Sequence, residues 1–198
     1  MALPHDPLWP RAQSLFSKDK SVRSDVSLFG IGAAKTSLSP TSAHQTPDAI
    51  RDALLRYSIA HSNQDVDLTK LSLSDYGDLA SSDVDELETI AQVREIAQRG
   101  SFLIALGGDN SITFSAARGS EVTGLITLDA HYDLRDGISN GSPVRRLIEA
   151  GLSGKKVVQI GIADFSNSPE YAQRAKDYGI TVIPVSYTHL TLPTKRIV

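Results

Sequence analysis

The sequence predicts an α/β protein: a three-layer α/β/α arrangement with a mainly parallel sheet. Three observations carry this. Apolar runs of strand length alternate with stretches of helical period along the chain. The apolar runs lack polar alternation, as strands covered on both faces do. The residues richest in chemistry follow directly on such runs, where open α/β sheets place their sites.

The elements follow in order. Residues 1–24 read as an irregular lead-in, and residues 25–34, "DVSLFGIGAA", as the first buried strand. "TPDAIRDALLRYS" reads as a helix with Thr46 as N-cap and Pro47 at its first position. Ile50, Ala53, Leu54 and Tyr57 fall at helical spacing and predict one apolar face. A strand is expected near residues 66–73. A helix follows with Ser82 as N-cap and acids in its first turn, closed by Arg99 and Gly100. "SFLIAL" is a strand ending at Gly107 and Gly108, and a short helix is expected over residues 111–117. "GLITLD" is a strand, "SPVRRLIEAGL" a helix capped by Ser142, and "KKVVQIGIAD" a strand. "SPEYAQRAKDYG" is a helix and "ITVIPV" the last strand. Arg145 and Arg146 are expected on a solvated helix face. Residues 25–184 are read as one domain.

Residues 185–198 fit no period that continues this pattern. The stretch "VSYTHLTLPT" resembles the translation of a sequencing-library adapter, so residues 185–198 are expected to be a non-native tail and the chain a fragment.

Composition excludes several classes. The chain has 198 residues, 40% of them hydrophobic and 22% charged, as ordinary globular proteins do. A net charge of −3 without a long basic run gives no reason to expect nucleic acid. With no cysteine, neither disulfides nor thiolate metal sites are available. The proline-broken N-terminus "MALPHDPLWPRAQ" lacks the apolar core of a signal peptide. No apolar run approaches the roughly 20 residues of a membrane helix. No membrane partner and a cytoplasmic location are therefore expected.

The chemistry concentrates in "LITLDAHYDLRDG", where Asp129, His131 and Asp133 are spaced by two after an apolar strand. On an extended segment these side chains would share one face. Two carboxylates and an imidazole converging at a strand end predict a metal site. "LGGDNS" follows another strand. There Asp109 reads as a loop-forming carboxylate, and Asn110 as either a turn residue or a weak ligand. "SNGSP" places Asn140 just before a helix, where it reads first as a turn residue. Arg135, two residues past Asp133, reads either as a surface ion-pair partner or as a fork for a substrate carboxylate.

Together "GGDNS", "DAHYD" and "NGSPVRRLIEAG" resemble the ureohydrolase family of arginase, agmatinase and formimidoylglutamase, over roughly residues 25–184. "SPTSAHQTPDAIRDAL" is similar to that family's first loop and helix. "DLRDG" and "NGSPVRRLIEAG" look nearest to formimidoylglutamase-like members. The resemblance implies a truncated arginase-like fold and a binuclear Mn²⁺ site that activates water to hydrolyse a linear amidine. It implies Asp129 as the bridging ligand, with His131 and Asp133 each on one metal and Asn110 as a weaker ligand. Asp133 and Asn140 are the candidates for catalysis, and Arg135 and Asn140 the candidates for substrate binding. The expected partner is a small amidine or guanidino compound, best guessed as N-formimidoyl-L-glutamate, with a homo-oligomer in the full-length protein.

Three departures from the family pattern qualify the second metal site. Asn110 stands where the family has a metal-binding His, and Asn140 where many members have a proton-shuttling His. Asn is a weaker ligand and exchanges no proton near neutral pH. The family's final Ser-x-Asp-x-Asp segment, which supplies two more carboxylates, does not follow "DAHYD" here and would lie beyond Pro184. A non-catalytic relative that binds a guanidino or amino-acid ligand is therefore the alternative, with the fragment itself inactive. A deacetylase or phosphohydrolase on the same fold is a third reading, and the order of the motifs argues against phosphate chemistry.

Overall fold

The computed structural model describes residues 6–17, 19–20, 23–62 and 66–190. The chain divides into two compact units, Met1–Ser120 and Glu121–Val198. Each carries its own sheet, and every strand pair is parallel. The α/β class and the parallel pairing expected from the sequence are observed. The strands lie in two sheets, of four and three strands, where one sheet was expected.

The first unit holds strands β1 (Phe16–Ser17), β2 (Ser24–Ile31), β3 (Leu73–Asp78) and β4 (Gly100–Gly107), in the order β1-β3-β2-β4. The lead-in, expected to be irregular, thus contributes a short edge strand. Helices α1 (Thr46–Leu54), α2 (Glu86–Ala97) and α3 (Ile112–Gly119) complete the unit. Phe29 and Ile31 of β2 form its core with Ala33 and with Val93 and Ile96 of α2, and Leu103, Ala105, Ile112 and Ala116 pack around them.

Four local expectations are corrected here. The strand placed near residues 66–73 lies at β3 instead, in a polar stretch with no apolar pattern to mark it. Its carboxylates have a partner. Arg51 of α1 donates through Nε to Asp75 Oδ2 at 2.8 Å, through Nη2 to Asp75 Oδ1 at 3.0 Å, and through Nη1 to Asp78. Burial opposes the guanidinium's charge, but these two carboxylates outweigh it and raise its pKa further.

The N-cap of α2 is Asp85 rather than Ser82. Asp85 Oδ1 accepts from the N–H groups of Leu87 and Glu88 at 2.9 and 3.1 Å. Gly100 is no left-handed stop; it opens β4 with its Cα against the Ser27 side chain. The apolar face expected for α1 is largely uncovered, with Ile50 and Tyr57 exposed and only Pro47 of the helix buried.

The second unit holds β5 (Leu125–Leu128), β6 (Val157–Ile162) and β7 (Thr181–Pro184), in the order β5-β6-β7. Helices α4 (Pro143–Glu149), α5 (Pro169–Tyr178) and α6 (Val185–Leu190) accompany them. Leu134, Val144, Val157, Ala175 and Ile180 form its core. Helix α5 is bounded as expected. Ser168 Oγ accepts from Tyr171 N–H at 3.3 Å, Pro169 holds the first position, and Gly179 ends the helix at φ 74°.

Residues 185–198 show no period that continues the pattern, yet the first six of them form α6. No proline or glycine interrupts residues 185–190, and Pro184 sits just ahead, where a missing N–H removes no intrahelical bond. Residues 191–198 lie outside the described ones.

β4 and β5 each form an edge of their sheet. Each leaves large apolar side chains exposed: Phe102 and Ile104 on β4, Ile126 and Leu128 on β5. Among the described residues, no helix is long and apolar enough to cross a membrane.

Candidate metal and substrate site

β5 delivers the candidate ligands of the second unit. Its ladder with β6 runs from Leu125↔Val157 to Leu128↔Ile160. Asp129 extends the pairing by one bond, its N–H donating to Ile160 O at 3.0 Å. Asp129 Oδ1 then accepts from His131 N–H at 2.7 Å and lies 3.3 Å from His131 Nδ1. A carboxylate and an imidazole are thus brought together at the carboxyl end of a strand, both reachable from solvent, with the His131 side chain 61% exposed.

Asp133 does not continue this arrangement. The spacing-by-two argument holds only while the backbone stays extended, and β5 ends at Leu128. Asp133 adopts a left-handed φ of 54°, a conformation Asp tolerates, and is buried at 6% exposure. Among the described residues, no three His, Asp or Glu side chains are grouped so as to hold a metal ion. The expected gathering of Asp129, His131 and Asp133 around one centre is therefore not formed by this chain.

The loop after Asp133 is held by two arginines. Arg174 Nη1 donates to Leu134 O at 2.7 Å and to Asp136 Oδ1 at 2.8 Å. That bond and the guanidinium's charge hold the Asp136 carboxyl below its ordinary pKa. Arg145 Nε donates to Arg135 O at 2.6 Å, and its other nitrogens reach Gly137 O and Glu149. Expected on a solvated face, Arg145 is instead 12% exposed in its side chain and stitches α4 to this loop. Arg135 itself is exposed, and its N–H donates to Gly141 O at 3.0 Å.

Asn140 is half-buried at the apex of the turn before α4. Ser142 Oγ accepts from Ser139 N–H and donates to Ser139 O, both at 2.9 Å, so it closes this turn rather than capping the helix. In the first unit, Asn110 Oδ1 accepts from Thr113 Oγ1 at 2.9 Å, the bonding of a turn residue at a helix start. Asp109 holds its own loop: Oδ1 accepts from Ser111 N–H at 2.9 Å and from Ser111 Oγ at 2.5 Å, and Oδ2 from Ser37 Oγ.

The chain belongs to the arginase family, whose sequence model matches residues 24–195. Among curated relatives, the formimidoylglutamase of Halalkalibacterium halodurans is 37% identical over 170 residues, covering 78% of this chain and 53% of that protein. The formimidoylglutamase of Bacillus subtilis is 32% identical over 173 residues, covering 78% of this chain and 53% of that protein. The crystal structure of the B. subtilis formimidoylglutamase superposes with a TM-score of 0.85 at 25% identity, covering 96% of this chain and 64% of that one. The Trypanosoma cruzi formiminoglutamase with Mn²⁺ gives 0.82 at 26% identity, covering 92% of this chain and 67% of that one. The chain spans about half the length of the curated relatives it matches.

Proposed function

We propose that the whole protein is a manganese-dependent hydrolase of linear C–N bonds in amidines, converting N-formimidoyl-L-glutamate and water to L-glutamate and formamide. Within an arginase-family chain, the observation that carries this reading is the pairing of Asp129 and His131 at the end of β5. Carboxylate oxygen and imidazole nitrogen are donors that Mn²⁺ takes. In donor type the two residues fit that ion. In number the described residues fall short, because no group of three is present. Asp129 and His131 would hold the metal, and when bound it would supply Lewis acidity toward water and the amidine. Arg135, exposed beyond the ligand segment, is the chain's candidate for the substrate carboxylate, and Asn140 for a polar contact.

Residues 25–184 are read as part of the catalytic α/β domain, residues 1–24 as its lead-in and residues 185–198 as a non-native tail. The proposed setting is the cytoplasm, with assembly into a homo-oligomer.

The test is a substrate panel on the natural polypeptide that carries this chain at the length of its relatives, loaded with Mn²⁺. Formamide release from formimidoylglutamate is expected to exceed urea release from agmatine, which carries no carboxylate for Arg135 to fork onto, by at least about tenfold in kcat/KM, with arginine and guanidinobutyrate as carboxylate-bearing comparisons. Preferred turnover of a guanidino substrate would overturn the assignment. A second reading, a non-catalytic relative that binds an amino-acid or guanidino ligand, draws on the lack of a three-ligand group among the described residues. Tight ligand binding with no turnover in the same panel would favour it.

A further inference from the structure

We infer that Asn167 is the positioning residue of segment 129–133, setting the backbone that presents Asp129 and His131; the inference rests on the metal reading above. Past Leu128 the β5–β6 ladder has ended, and the segment must satisfy its peptide groups elsewhere. Two of the acceptors and donors it finds belong to one side chain. Asn167 Nδ2 donates to Ala130 O at 2.9 Å and to Ala163 O at 3.4 Å. Asn167 Oδ1 accepts from Tyr132 N–H at 3.0 Å. His131 lies between the two gripped peptides.

Gln159 adds a third hold. It is fully buried in β6, and its Nε2 donates to Tyr132 O at 2.9 Å. Ala163 N–H also donates to Ala130 O, at 3.0 Å. The amide at residue 167 supplies both halves of this bonding, since a carboxylate could accept from Tyr132 N–H but could not donate to Ala130 O. Asn167 is itself well anchored, because the next two residues are the cap Ser168 and Pro169 at the start of α5. The start of α5 therefore fixes Asn167, and Asn167 fixes the peptides on either side of His131. Side chains that orient ligands in this way typically alter metal affinity about 10- to 100-fold when removed.

The experiment compares residues 1–198 with Asn167→Ala and Asn167→Asp. Amide hydrogen exchange is read at Tyr132, Val158 and Ile160, and Mn²⁺ binding by the free-ion electron spin resonance signal. Asn167→Ala is expected to speed Tyr132 exchange about tenfold, the loss of one net hydrogen bond, with Val158 and Ile160 unchanged. Mn²⁺ affinity is expected to fall about tenfold. Asn167→Asp keeps an acceptor for Tyr132 N–H, so it should retain part of the protection even if the alanine variant fails to fold. Unchanged Tyr132 exchange in both variants overturns the inference, as does a freed amide with unchanged Mn²⁺ affinity. A parent chain that takes up no Mn²⁺ removes the metal reading and Asn167's role toward the ion, while the exchange result separately reports whether Asn167 tethers the segment.

Discussion

Residues 1–198, made as written and supplied with excess Mn²⁺, are expected to release no formamide, urea or ammonia above background from formimidoylglutamate, arginine, agmatine or guanidinobutyrate. The reason is coordination. Asp129 and His131 bring one carboxylate and one imidazole together, Asp133 is buried on a left-handed backbone, and no third ligand is grouped with them among the described residues. Mn²⁺ favours near-octahedral oxygen and nitrogen surroundings. Two dications a few ångströms apart also repel strongly unless carboxylates lie between them. A single, loosely held ion is the most this donor set supports. The expected shortfall is the whole rate enhancement, at least about 10⁶-fold for a typical enzyme. Metal-dependent turnover that disappears in Asp129→Ala would show that these few ligands suffice, and would overturn this account of the site.

Gly108→Ala is expected to be the most damaging small substitution in the first unit. A Cβ at Gly108 would lie 1.8 Å from Ala33 O, 2.6 Å from its N and 2.7 Å from its C. These are backbone atoms, so no rotamer change relieves the clash. The end of β4 would have to move away from residues 31–33. That motion breaks Gly108 N–H to Ile31 O and Asp109 N–H to Ala33 O, both 2.8 Å. Overpacking together with two lost backbone bonds amounts to about 3 kcal/mol or more. Gly107 is the control. A Cβ there meets Ile112 Cδ1 at 2.9 Å, the end of a flexible side chain, so Gly107→Ala should cost about 1 kcal/mol or less. Urea denaturation of the two variants measures the difference. Equal midpoints would contradict the steric account of why "GGDNS" needs its second glycine.

That contrast shows what the sequence could and could not carry. The apolar strands β2, β4, β5, β6 and β7 and the Ser-Pro start of α5 rest on local steric or solvation rules, and such rules are written in neighbouring residues, whereas what Gly108 must clear is the distant backbone of Ala33. β3 was displaced because its half-buried "LSDYGD" is polar, and the pairing of Asp75 and Asp78 with Arg51 is made across 24 and 27 residues. The expected common face of Asp129, His131 and Asp133 assumed extended backbone past the end of β5. Nothing in residue spacing signals that Asp133 turns left-handed. Asn167 was missed because a side chain that braces another segment leaves no periodic trace. Gln159 had left one: it is the polar residue within the apolar run "VVQIGI", and a polar side chain in a buried strand asks for a partner. Helix position alone puts Arg145 on a solvated face, whereas the loop it stitches draws it in.

The central claim is that Asp129 and His131 are metal ligands presented by the end of β5. Its most direct test is an Mn²⁺ titration of residues 1–198, followed by electron spin resonance of the free ion, with Asp129→Ala and His131→Ala alongside. The account predicts weak binding of about one ion to the parent chain. It also predicts loss of that binding in each variant, with the β5–β6 amide protection retained. Binding of equal affinity in the parent and in Asp129→Ala would contradict it.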